Sequence, residues 1–308
     1  MGGWGCLRFS QDYASSQRLE ARLVGRVCRA ATVGYGEEGL GVWEVEDVQP
    51  HFPGLSIHER LKSGGFKHTY RAELPNGRPV ALKVFLTPVV DDEDEEEQSE
   101  HLRAAREIRL LSGFDHPRTV RVATQPNFVR LGGERYLYYS EDFIPGGTLD
   151  SVKLPLRGDE VKSLLLGLVD GLQYLEERGV IHRDIKPGNI GLTDEWEPVL
   201  LDFGVALEGD DDITGFMDVA PGTPAYAAPE QFSPRRLVTL DHRADQHALG
   251  VVAKKLLTGR TQPTTERLSR SVEADCLREI IERLTATRPN QRFRHSAMLR
   301  RALEDCDV

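Results

Sequence analysis

The chain has 308 residues, of which 39% are hydrophobic and 29% charged. That is enough to bury a core without metal or disulfide staples, and it excludes wholesale disorder. The formal net charge is −10, but seven of the negative charges form one run, Asp91 to Glu97, and the rest of the chain is only −3. No basic face is offered to a phosphate backbone, which argues against nucleic acid as a partner.

Four cysteines, Cys6, Cys28, Cys276 and Cys306, are too far apart for a C-x-x-C metal or redox pair. They read as reduced thiols of a cytoplasmic protein. No stretch approaches the ~18 apolar residues of a membrane helix. The opening MGGWGCLRFS lacks the charged and apolar regions of a secretory signal. No membrane partner is expected.

Residues 1–54 carry no nameable motif. Ala21 to Val33 and Leu40 to Val48 have β-like composition around a glycine-containing turn, so a hairpin is plausible there. From Leu55 the texture changes. Ile57 to Leu61, Thr69 to Leu74 and Pro79 to Leu86 read as strands, with Asn76-Gly77 as a hairpin signal. The acidic run reads as a solvated loop. Ser99 to Ser112 reads as a helix, and Val120 to Ala123 and Tyr136 to Tyr139 as a further strand pair. From Asp159 to Arg178, Val161, Leu164, Leu165, Leu168, Leu172 and Leu175 form an amphipathic stripe ended by Gly179. Ala244 to Leu257 and Cys276 to Leu284 are further helices. The layout is α+β, with a small β-rich half before a larger helical half.

Four motifs carry the chemistry. His182-Arg183-Asp184-Ile185-Lys186-Pro187-Gly188-Asn189 follows the long helix. Asp202-Phe203-Gly204 comes 13 residues after Asn189. Ala228-Pro229-Glu230 closes a segment beginning Gly222-Thr223, and Val80-Ala81-Leu82-Lys83 lies upstream in a predicted strand. Any one of these is weak. Together, in this order, the set resembles the protein kinase family of the serine/threonine type, in the style of bacterial Hanks-type kinases. The resemblance covers about Leu55 to Arg300. It implies a two-lobed fold, with a small lobe over 55–143 and a large lobe over 144–308.

The resemblance also implies roles. Asp184 would accept the proton of a substrate hydroxyl, and Lys186 would stabilise the transferring phosphoryl group. Lys83 would contact the α- and β-phosphates of ATP, paired with a carboxylate on the following helix; Glu107 fits better than Glu100. Asn189 and Asp202 offer oxygen ligands for Mg2+, with Mn2+ as an alternative. Gly64 and Gly65 stand in the phosphate-covering loop, Ala81 beside the adenine, and Asp142 and Ile144 at the hinge. The partner would be a protein bearing Ser or Thr. Asp245 resembles the aspartate that holds the H-R-D backbone. Thr223 resembles the threonine that bridges the catalytic aspartate and lysine, and Arg292 would pair with Glu230.

The chain also departs from the pattern. In Lys62-Ser63-Gly64-Gly65-Phe66-Lys67 only Gly64 matches a family glycine, although Lys67 could add charge toward the phosphates. Gly191 stands where a bulky residue usually floors the adenine, which implies a roomier pocket. Glu141 at the back wall is unusual. The usual activating phosphosite falls on Val219, which has no hydroxyl, and the neighbouring Asp218 is a candidate stand-in for a phosphate facing Arg183. Two other readings stay open on the residues: a nucleotide-binding or scaffolding pseudokinase, and a small-molecule kinase on the same fold. Oligomeric state and substrate identity are not readable.

Overall fold

The structure is a computed structural model that describes residues 43–63, 67–89, 104–105, 107–208, 223–232, 240–260 and 275–308. The chain divides into two compact units: Met1–Phe114 with Arg121–Phe143, and Asp115–Val120 with Ile144–Val308.

The first unit is built on five antiparallel strands: β1 (Ser56–Ser63), β2 (Lys67–Glu73), β3 (Pro79–Pro88), β4 (Val122–Leu131) and β5 (Glu134–Asp142), in spatial order β1-β2-β3-β5-β4. Asn76-Gly77 turns β2 into β3, with Gly77 in the left-handed region at φ 80°. β4 and β5 are longer than the sequence predicts. The polar stretch Thr124-Gln125-Pro126-Asn127 hides β4, because its alternation carries little hydrophobic signal.

Period two divides the sheet into two faces. Val80, Leu82 and Val84 of β3 join Tyr70, Ala72, Val129 and Leu131 in one core. Val48 and Phe52, from the stretch just before β1, complete it, with Trp43 and Val45 packed against it. Fully burying a side chain such as Val48 contributes roughly 1.5–3 kcal/mol. Trp43 stacks edge-on to Tyr136 at 4.6 Å, and its carbonyl accepts the Tyr70 hydroxyl at 2.8 Å. Burial pushes the Tyr70 phenol up to about 12.

The described part of the expected hairpin differs. Val45–Val48 is a short helix, α1, rather than a strand. The valine-rich composition that suggested β serves a helical turn instead: Val45 and Val48 are spaced by three. The Asp47 carboxylate accepts the Glu44 amide at 2.9 Å, a local cap that composition does not reveal. Ala21 to Val33 and the acidic run lie outside the described residues. Residues 104–105 and 107–112 are helical (α2), within the predicted helix.

The second unit is mostly helical: α3 (Gly158–Glu177), α4 (Arg243–Thr258), α5 (Asp275–Leu284) and α6 (Ser296–Glu304). The six predicted stripe residues of α3 are all buried. Gly179 follows in the left-handed region at φ 65°, which ends the helix without steric cost. Two small ladders support the motif loops: β6 (Val180–Ile181) with β9 (Leu207–Glu208), and β7 (Ile190–Leu192) with β8 (Pro198–Leu200). Among the described residues no helix is long and apolar enough to cross a membrane.

One expectation is overturned here. Cys276 and Cys306 form a disulfide, with Cα atoms 5.6 Å apart, so these two are not reduced thiols. Their separation of 30 residues hides the pairing in the sequence. It is the packing of α5 and α6 that brings the start of one helix to the residues following the other. Closing a loop of that length stabilises by about 3–4 kcal/mol in the chain-entropy view. Cys6 and Cys28 lie outside the described residues.

Candidate active site

The first cluster belongs to the first unit, on the sheet face opposite Val80, Leu82 and Val84. Strand register sets Lys83 of β3 across from Thr69 of β2 on one side and Tyr139 of β5 on the other. Lys83, Glu107 and Glu141 are all nearly or fully buried, so each charge needs a partner.

The pairing departs from the expected one. Lys83 Nζ donates to Glu141 Oε1 at 2.6 Å, and lies 3.6 Å from Glu107 Oε1. Glu107 instead receives both its close contacts from Lys67 Nζ, at 2.6 and 2.7 Å. The Tyr139 hydroxyl stands between the two carboxylates, 3.0 Å from Glu107 Oε1 and 2.9 Å from Glu141 Oε1, and its one proton serves one of them at a time. Two ammonium groups thus balance two carboxylates. Burial pushes the Glu141 carboxyl up, opposed by the Lys83 charge and reinforced by that of Glu107.

Sequence reasoning placed Glu141 at a back wall but did not assign it to Lys83. Strand period alone does not pair them; that Lys83 and Glu141 share a face of adjacent strands follows from the sheet order and register. The diagonal β3–β5 register, Ala81↔Glu141 and Lys83↔Tyr139, brings their side chains together. Ala81 itself is half-buried, at the same register position as Glu141. Asp142 is drawn to Arg78, with which its carboxylate forms an ion pair. Gly64 and Gly65 lie outside the described residues.

The second cluster belongs to the second unit. Asp245, in the first turn of α4, accepts the His182 amide and the Arg183 amide, each at 2.8 Å. This clamp fixes the loop before Asp184 and holds Arg183 in the left-handed region at φ 69°. Burial pushes the Asp245 carboxyl up. His182 packs in the core against Phe203, with ring centroids 4.6 Å apart, and its Nε2 lies 3.0 Å from the Leu201 carbonyl.

Asp184 is the centre of a polar group. Lys186 Nζ donates to its Oδ2 at 2.7 Å, and to Thr223 Oγ1 at the same distance. The Thr223 amide donates to Asp184 Oδ1 at 2.8 Å. Asn189 Nδ2 donates to the Asp184 carbonyl at 3.0 Å and to Oδ2 at 2.8 Å. Turning its amide nitrogen to Asp184 turns the Asn189 oxygen the other way, the orientation a hard cation requires of an amide. The Leu201 amide donates to the Asn189 carbonyl at 2.9 Å, so the end of the β7–β8 ladder sets Asn189 beside the chain entering Asp202. Asp202 has φ 62°, a left-handed backbone rare for a residue with a side chain.

Arg292 pairs with Glu230 through both guanidinium ends, as expected, and also donates to the Arg243 carbonyl at 2.8 Å. Arg183 donates to the Val205 carbonyl at 3.2 Å. Thr214, Asp218 and Val219 lie outside the described residues.

The space at Gly191 is filled rather than open. A Cβ at that position would come within 2.9 Å of Ile144 Cγ2 and 3.2 Å of Leu201 Cδ1. Ile144 and Leu201 already fill the space that a bulkier residue would occupy, so glycine is what the packing requires there.

Residues 55–304 match the protein kinase domain family. The chain is 30% identical over 257 residues to the probable serine/threonine-protein kinase PkwA of Thermomonospora curvata, covering 80% of this chain and 31% of that protein. It is 30% identical over 272 residues to serine/threonine-protein kinase C of Synechocystis sp., covering 80% of this chain and 49% of the relative. It is 34% identical over 222 residues to serine/threonine-protein kinase PknF of Mycobacterium tuberculosis, covering 68% and 43% respectively. The chain thus spans about a third to a half of the length of these relatives. The motif order, the two-part α+β architecture and this similarity lead to one conclusion: the chain belongs to the protein kinase family.

Proposed function

We propose that this chain is an active serine/threonine-protein kinase, moving the γ-phosphoryl group of ATP to a Ser or Thr hydroxyl of a protein. The observation that carries the reading is the completed group around Asp184: its carboxylate is ionically paired to Lys186, oriented by Asn189 and anchored by the Thr223 amide. A pseudokinase has no need to maintain such a group.

In this reading the substrate hydroxyl gives its proton to Asp184 as its oxygen attacks the γ-phosphorus, and the bond to the β-phosphate oxygen breaks. Lys186 neutralises charge on the transferring group. Asn189 and Asp202 would hold Mg2+, which when bound screens the phosphate charge. Lys83 would contact the α- and β-phosphates. The similarity to bacterial serine/threonine-protein kinases favours protein over small-molecule acceptors.

The test is transfer of labelled phosphate from ATP with Mg2+ to the purified chain and to a generic basic protein, with Asp202→Ala run alongside. Incorporation by the wild type and none by the variant is expected. A wild type that binds ATP but transfers nothing would favour the pseudokinase reading.

The pairing of Lys83 leads to a second expectation. Glu141 rather than Glu107 makes the short hydrogen bond to Lys83, so it acts as a positioning residue for that lysine. Glu141→Gln should lower kcat/KM about ten- to a hundredfold, the equivalent of roughly 1.5–3 kcal/mol for a charge-assisted hydrogen bond. Glu107→Gln should cost less. Initial rates over a range of ATP concentrations separate the two; a silent Glu141→Gln beside a crippled Glu107→Gln would overturn the assignment.

A further inference from the structure

Three helix ends of the second unit meet at a group that the kinase chemistry does not use. Glu176 lies in the last turn of α3, His242 immediately precedes α4, and His295 immediately precedes α6. One ligand atom from each lies within 4.8 Å of the other two. The His295 Nδ1 to Glu176 Oε1 distance is 2.8 Å, and the His242 Nε2 to Glu176 Oε1 distance is 3.5 Å. The two imidazole rings are nearly parallel, 10° apart, with centroids 6.0 Å from each other.

We propose that Glu176, His242 and His295 form a zinc-binding site. Two imidazoles and one carboxylate are the donors that Zn2+ prefers among nitrogen and oxygen ligands. At bond lengths of about 2.0–2.1 Å, a tetrahedral ion sets its ligand atoms about 3.3 Å apart. The two observed spacings to Glu176 bracket that value, so binding needs shifts of a few tenths of an ångström there rather than a rearrangement.

The surroundings are those of a supported site. Glu176 Oε2 accepts the Ser296 amide at 2.8 Å, which fixes the carboxylate and presents Oε1 to the two histidines. Glu176 and His242 are partly buried, while the His295 side chain is 54% exposed, giving an entry path from solvent. His242 Nε2 also lies 3.0 Å from the Arg294 carbonyl. On binding, the proton that Nε2 would donate there moves to Nδ1 or to solvent, since a ligating imidazole nitrogen carries no proton. The ion would pin the end of α3 to the starts of α4 and α6.

The test is independent of phosphotransfer. The full chain is freed of metal with a chelator and titrated with Zn2+ in competition with a chromophoric chelator. It is compared with Glu176→Gln and with the double variant His242→Ala/His295→Ala. The expected result is the loss of one Zn2+ equivalent per chain in the double variant and weaker binding in Glu176→Gln. Co2+ should give the intense visible bands of a tetrahedral site in the wild type alone. Zn2+ should also raise the melting temperature of the wild type but not of the double variant. Melting of each metal-free variant shows whether it folds; if the double variant does not, His295→Gln takes its place. Equal Zn2+ stoichiometry and affinity in wild type and folded variants would place any bound metal elsewhere and overturn the assignment.

Discussion

Asp184→Asn is expected to lower kcat by about 100- to 10,000-fold, the range for removing a positioned general base, while the KM for ATP should change far less. Asparagine keeps the volume and one acceptor oxygen, so the Thr223 amide retains a partner. What is lost is basicity and charge. The amide nitrogen of the variant would meet Lys186 or Asn189, both donors, where the carboxylate now accepts from both. Steady-state rates and a melting curve for the same preparation distinguish lost chemistry from lost structure. A folded Asp184→Asn with a kcat within a few-fold of wild type would remove Asp184 from the role of base.

The second large effect falls on stability. Arg292 is buried, paired with Glu230, and donates further to the Ala286 and Arg243 carbonyls, at 2.9 and 2.8 Å. Arg292→Ala leaves the Glu230 carboxylate buried without its cation. Breaking a buried pair from one side costs about 3–5 kcal/mol. Against a total stability of roughly 5–15 kcal/mol, that is a large share. Chemical denaturation should therefore show a markedly lower midpoint. The paired replacement Arg292→Met with Glu230→Leu should be less damaging than Arg292→Ala, because no lone charge remains. If Arg292→Ala unfolds at the wild-type midpoint, the pair has no structural role of this size.

Much of the fold was legible in the sequence, for reasons that can be named. The α3 stripe repeats apolar residues at helical spacing over about four turns, and all six of its members are buried. β3 alternates Val80, Leu82 and Val84 against Ala81 and Lys83, so its inward and outward faces follow from period two. The motif loops were legible because their chemistry is local: Asp184, Lys186 and Asn189 sit within six residues. Three things were not legible, and each depends on contacts distant in sequence. The preference of Lys83 for Glu141 depends on the β3–β5 register. The Cys276–Cys306 bond depends on how α5 and α6 pack. The fit of Gly191 depends on Ile144 and Leu201 folding over it. Val45–Val48 failed for the opposite reason: its local composition suggested a strand, and a cap together with burial of Val48 decided otherwise.

Trp43 to Phe52 lie upstream of residue 55, where the family similarity begins. Yet Val48 and Phe52 are part of the core under the five-stranded sheet, and the Trp43 carbonyl holds the buried Tyr70 hydroxyl. Ancestry and folding therefore mark different start points in this protein. A chain cut at residue 55 would bare an apolar sheet face and orphan a phenol. The segment that lies outside the family match is, by its packing, part of the domain.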